Sequence, residues 1–159
     1  MNPERTHSDW KQRRLPRFDY SNPDHAYFVT IRALPETAPF TDALLARVVI
    51  DTLHWLRTNR GVSVYAYCLM PDHLHLLIGL APGGIPLGDI IGTFKRFTTR
   101  QSWSLGYKGA LWQSRFYDHI LRKSQDGNDV VTYILANPER ANLVAEEGEY
   151  PYTGCPDLM

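Results

Sequence analysis

His73 and His75 are the only histidines separated by a single residue in the 159-residue sequence. On a β-strand, residues two apart point to the same face, so the two rings would stand side by side while Leu74 turns away. Two neutral imidazoles can hold a divalent ion; on an open sheet face they can equally be two partly exposed side chains. Tyr133 and Asn137 lie four residues apart, a spacing that places a phenol and an amide oxygen on one helix face. Tyrosine, with an ordinary pKa of about 10, is a poor nucleophile unaided, and a neighbouring cation would help it. The plainer alternative packs the Tyr133 ring with Val130 and Ile134 while Asn137 closes the helix before Pro138.

Charge is unevenly spread although seventeen Lys and Arg balance seventeen Asp and Glu. Residues 94–123 carry seven basic side chains and one acidic, and residues 124–159 carry one basic and seven acidic. Lys95, Arg96, Arg100, Lys108, Arg115, Arg122 and Lys123 alternate with Phe94, Phe97, Trp103, Tyr107, Trp112, Phe116 and Tyr117. Cations for phosphates and rings for unpaired bases are what a single-strand or hairpin binder needs, while the plainer alternative is a solvated helix face beside ordinary core aromatics. Arg96 and Arg100 repel one another at i,i+4, which favours an anionic partner.

The elements that would position these groups follow from periodicity. His25–Ile31 is rich in aromatic and β-branched residues and reads as a strand. Thr41 or Asp42 can cap a helix in which Leu45, Val48, Val49, Leu53 and Leu56 recur at helical spacing up to Gly61. Val62–Leu69 and His73–Ile78 read as strands broken at Pro71-Asp72, close enough to be antiparallel neighbours. Leu87 to about Trp103 reads as a second helix with an apolar stripe of Ile90, Ile91, Phe94 and Phe97. Leu111 to Leu121 reads as one further strand, although Asp118 and His119 interrupt its pattern. Asp129–Leu135 reads as a short helix stopped by Pro138. The order β-α-β-β-α-β-α matches an α+β, ferredoxin-like split βαβ fold. It predicts an antiparallel sheet with helices on one face and an additional C-terminal helix bearing Tyr133. The first and third strands of that topology are central, which places His73 and His75 mid-sheet.

Composition bounds the rest. A chain of this length can bury roughly 70% of its unfolded surface in one core. We expect an N-terminal tail over residues 1–24, one domain over 25–145 and a C-terminal tail over 146–159, with no internal repeat. Cys68 and Cys155 are the only cysteines, which excludes a disulfide framework and a CxxC zinc site. The first residues lack an apolar signal core, and the longest strictly apolar run, Leu76–Ala81, is far shorter than the roughly 20 residues of a membrane helix. A cytoplasmic protein without membrane contact is expected, as monomer or homodimer.

In combination the motifs are more specific than apart. Met70-Pro71-Asp72-His73-Leu74-His75-Leu76-Leu77, then Leu111-Trp112-Gln113 with Phe116-Tyr117-Asp118-His119, then Tyr133-Ile134, Asn137-Pro138 and Ala141-Asn142-Leu143-Val144 resemble the REP-associated tyrosine transposases. Those proteins belong with the single-tyrosine insertion-sequence transposases of the HUH endonuclease superfamily. The resemblance implies metal-binding histidines at His73 and His75, a nucleophile at Tyr133 and a further polar ligand at Asn137. Mg²⁺ or Mn²⁺ is the implied cofactor, although two imidazoles alone would also admit Zn²⁺. The implied reaction is cleavage of single-stranded DNA beside a hairpin, leaving a 5′-phosphotyrosine and a free 3′-OH. Asp72 and Asn142 stand where Asn and Gly are more usual in the family, and its members are typically basic where this chain is neutral. Two other functions fit the same residues: a hairpin or single-stranded DNA-binding protein that no longer cuts, and a small metal-dependent hydrolase or regulatory domain that needs no tyrosine. Among nine tyrosines, Tyr117 is the nearest rival to Tyr133 because it lies beside basic residues.

Overall fold

The structure, a computed structural model, describes residues 23–122, 127–144 and 149–159. Its elements in chain order are β1 (His25–Arg32), a 3-10 turn (Pro39–Thr41), α1 (Ala43–Arg60), β2 (Ser63–Met70), β3 (His73–Gly79), α2 (Leu87–Ser104), β4 (Tyr117–Arg122), α3 (Gly127–Leu135), α4 (Asn137–Arg140) and β5 (Thr153–Gly154). The strands form one antiparallel sheet in the order β4-β1-β3-β2-β5, so β1 and β3 are central as predicted.

Alternation along the central strands sorts side chains onto two faces. Tyr27, Val29 and Ile31 of β1 and Leu74, Leu76 and Ile78 of β3 join Leu45, Val49 and Leu53 of α1 and Ile90, Ile91 and Phe94 of α2 in the larger core. Asp42 caps α1 by accepting from the Leu44 amide at 2.9 Å, and Gly61 ends it with φ +63°, a conformation glycine adopts without strain. The opposite face carries Ala26, Phe28, Ala66, Cys68 and Leu77, covered by Val130 and Ile134 of α3. The two long helices thus lie on one face, and the helix bearing Tyr133 lies on the other.

Three elements differ from expectation. Leu111–Leu121 is not one strand: Trp112 makes an isolated bridge to Ala33, and regular pairing starts only at Tyr117. Between them the backbone is turned towards α2, where Lys95 donates to the Gln113 carbonyl at 2.8 Å. Asp118 and His119, whose polarity breaks the strand pattern, lie within β4 at the sheet edge. Pro138 opens α4 rather than merely ending α3, because proline fits the first turn of a helix, where its missing N–H has no partner to lose. Within the expected C-terminal tail, residues 153–154 pair with Tyr67 and Cys68 as edge strand β5. Arg57 anchors that segment through two hydrogen bonds to Asp157, at 2.8 and 2.6 Å, and the Val64 amide donates to the same carboxylate. No helix among the described residues is long and apolar enough to cross a membrane.

Candidate active site

The site is built on β1 and β3 beneath α3. Arg32 pairs with His73 and Thr30 with His75 across the two central strands, which sets all four side chains on the α3 face. His73 and His75 face each other, their Nε2 atoms 3.2 Å apart. His73 Nδ1 donates to Asp72 Oδ1 at 2.6 Å, and since a carboxylate only accepts, the proton sits on Nδ1 and the lone pair on Nε2. His75, 1% exposed, has its Nδ1 3.0 Å from Thr30 Oγ1. The hydroxyl serves either tautomer of His75. It donates to Nδ1 when His75 Nε2–H donates to His73, and it accepts from Nδ1–H when both Nε2 lone pairs converge on a cation.

That geometry fits a divalent ion. Two nitrogens 3.2 Å apart, each ~2.1 Å from an ion, subtend ~99° there, between the ~90° of an octahedral site and the ~109° of a tetrahedral one. Among the described residues no set of three His, Cys, Asp or Glu side chains could hold a metal, so further ligands would be amide, phosphate or water oxygens. Burial lowers the basicity of His73, helped by Arg32 and opposed by Asp72, which favours the neutral, ligating form.

Tyr133 lies beside His75 of this pair. Its ring centroid is 5.9 Å from that of His75 and 5.9 Å from that of Phe28, both nearly edge-on. Burial raises the phenol above its ordinary pKa and Arg140 opposes the rise, so the hydroxyl is neutral at pH 7. Asn137 follows α3, and its Nδ2 donates to the Tyr133 carbonyl at 2.8 Å. This bond fixes the orientation of the amide, leaving Oδ1 as its remaining acceptor. Tyr117, 40% exposed on β4, pairs with Thr30 and so shares the site face, but it is two strands from β3, ~10 Å in the sheet direction.

The basic block is distributed differently. Arg96 and Arg100 are exposed on α2, behind the sheet from the histidines, beside exposed Phe97 and Trp103. Lys95 is committed to the Gln113 and Arg115 carbonyls, and burial lowers its pKa. Lys108 and Arg115 are exposed, Arg122 ends β4, and Lys123 lies outside the described residues. Among the described residues, Arg32 and Arg140 instead bring cations to the site face. Sequence reasoning missed both, and it missed Thr30 and Asp72 as partners of the histidines. Only the 30↔75 and 32↔73 register reveals the β1 pair.

A split βαβ sheet with paired imidazoles mid-sheet, and a helix that carries a tyrosine on the same face, is the arrangement that the resemblance of the sequence implies. The chain belongs to the Transposase IS200 like family, whose model matches residues 25–137. It is 24% identical over 98 residues to a REP-associated tyrosine transposase of Escherichia coli (strain K12), across 62% of this chain and 57% of that protein. A relative from Haemophilus influenzae is 29% identical over 98 residues, across 55% of this chain and 56% of its own length. The chain thus spans somewhat over half the length of these curated relatives. A solved structure of a REP-associated tyrosine transposase bound to a REP hairpin superposes with a TM-score of 0.70 at 23% identity, covering 90% of this chain and 81% of that one. At that identity the likeness speaks for the fold.

Proposed function

We propose that this protein is a metal-dependent single-stranded DNA endonuclease and strand transferase, transposase-like, which cleaves near hairpin DNA through a 5′-phosphotyrosine intermediate on Tyr133. The observation that carries the reading is the placement of the Tyr133 ring 5.9 Å from that of His75, one of two imidazoles whose Nε2 atoms lie 3.2 Å apart.

In this reading Tyr133 Oη attacks the scissile phosphorus, a P–O bond to tyrosine forms and the P–O3′ bond breaks. The phenol gives up its proton to solvent and the leaving O3′ takes one up, so no nucleotide cofactor is consumed. Because the phosphodiester is retained as a phosphotyrosine ester, an incoming 3′-OH reverses the step and joins a new strand. Mg²⁺ or Mn²⁺ held by His73, His75 and the Asn137 amide oxygen would polarise the phosphate and offset its charge. The protein's own part is to hold the His73 tautomer through Asp72, to orient the His75 ring through Thr30, and to keep the Tyr133 ring beside His75. Arg32 adds positive charge on the same face. DNA that meets both this face and the Arg96–Arg100 face of α2 would pass the β4 edge, which exposed Arg115 precedes.

The test is a labelled hairpin with single-stranded flanks, incubated with and without Mg²⁺ or Mn²⁺ and then denatured. A metal-dependent protein–DNA adduct, lost in Tyr133→Phe, is expected. Tight hairpin binding with no adduct under any metal would replace the reading with a non-cleaving hairpin-binding protein.

A further inference from the structure

Arg140 is the only Lys or Arg in residues 124–159 and lies seven positions beyond Tyr133. α3 ends at Leu135 and Pro138 has no N–H, so the last carbonyls of α3 lack part of their usual complement of donors. The Tyr133 carbonyl is instead taken by two side chains, Asn137 Nδ2 and Arg140 Nη2, each at 2.8 Å. A cation at a helix C-terminus is also favoured by the helix dipole. The same guanidinium lies over the Tyr133 ring, its central carbon 4.2 Å from the ring centroid. Arg140, Phe28 and His75 therefore all pack against the ring.

We propose that Arg140 is a positioning residue that holds the Tyr133 ring towards the His73–His75 pair, by one hydrogen bond to the Tyr133 carbonyl and a stack on the Tyr133 ring. Its effect on catalysis rests on the reading of Tyr133 as nucleophile; its effect on the ring does not. Only a planar guanidinium makes both contacts at once, because a lysine ammonium is a point donor with no face to stack. A role in charge alone would be kept by Arg140→Lys, whereas a role in geometry would not.

The experiment uses the full chain with 3-fluorotyrosine incorporated, the Tyr133 fluorine signal being assigned by its loss in Tyr133→Phe. Fluorine NMR of Arg140→Lys and Arg140→Gln is read beside single-turnover adduct formation with Mn²⁺ and hairpin affinity. Both substitutions should move or broaden the Tyr133 signal and slow adduct formation ~10–100-fold, the scale on which misplaced reacting groups act, with affinity held to about twofold. An unmoved signal, an undiminished rate, full activity in Arg140→Lys, or affinity falling in step with rate would each overturn the proposal. Should Arg140→Gln not fold, Arg140→Lys carries the test alone. If Tyr133→Phe forms the adduct at the wild-type rate, the nucleophile assignment fails, and the fluorine signal still decides whether Arg140 holds the ring.

Discussion

Replacing Thr30 with valine probes the histidine pair without touching a ligand. Thr30 is 4% exposed and its Oγ1 lies 3.0 Å from His75 Nδ1, itself on a residue 1% exposed, so no bulk water stands ready to replace the hydroxyl. Valine is close in shape but offers neither donor nor acceptor. Whichever tautomer His75 adopts, its buried Nδ1 loses its threonine partner, which costs about 1–3 kcal/mol of stability. The metal-ready tautomer, with Nδ1 protonated and Nε2 bare, loses the group that orients it, and removal of such partners lowers metal affinity ~10–100-fold. We expect Thr30→Val to fold with a lower urea midpoint and to bind Mn²⁺ that much more weakly, read from free Mn²⁺ by electron paramagnetic resonance. Thr30→Ser should restore most of both. A Thr30→Val protein that binds Mn²⁺ as tightly as the wild type would refute the claim that this hydroxyl supports the ligating form of His75.

Three further outcomes follow from single interactions. The carboxyl of Asp157 is held below its ordinary range, chiefly by the Arg57 hydrogen bonds and against burial, so its contribution is present above the unfolded value of about 4 and is lost as pH falls through the lower folded value. Asp157→Asn should therefore cost ~1 kcal/mol in urea unfolding at pH 7, allowing for solvent screening, and progressively less as pH falls below about 4; a cost that does not shrink with falling pH would contradict the linkage. Burial pushes the Cys68 thiol up to about 12 while Cys155 is exposed, so native protein at about pH 8 should show one reactive thiol to an aromatic disulfide and a second only in urea. Arg96→Ala with Arg100→Ala should weaken hairpin binding across sequences and reduce the salt slope by about 2, and an unchanged slope would place the DNA away from α2.

Much of the frame is legible in the sequence because it rests on local patterns. Period-two runs gave β1 to β3, the Asp42 cap and Gly61 bracketed α1, and the one-residue spacing of His73 and His75 put both rings on one face of a central strand. What was hidden depends on contacts between distant segments. That α3 covers the opposite face from α1 and α2 cannot be read from its own amphipathic pattern, which says only that one side is buried. Thr30 meets His75 across 45 residues through strand register, and no local signal distinguishes it from any other strand threonine. Arg140 sits in an acidic stretch, so its stack on Tyr133 was masked by the charge of its neighbours. Conversely, the density of cations in residues 94–123 says nothing about which sheet face they occupy. The extent of β4 was misjudged because Trp112 is buried beside Phe40 and Phe94 without belonging to a regular strand.

The central claim is that Tyr133 forms the covalent bond to DNA, and the measurement that tests it most directly is the mass of the modified peptide. Trypsin separates the two leading tyrosines, releasing Tyr117 within residues 116–122 and Tyr133 within residues 124–140. After incubation with the flanked hairpin and Mn²⁺, nuclease trimming and digestion, the account predicts a nucleotide phosphate on the 124–140 peptide, fragmenting to Tyr133. The same mass on the 116–122 peptide, with 124–140 unmodified, would contradict it.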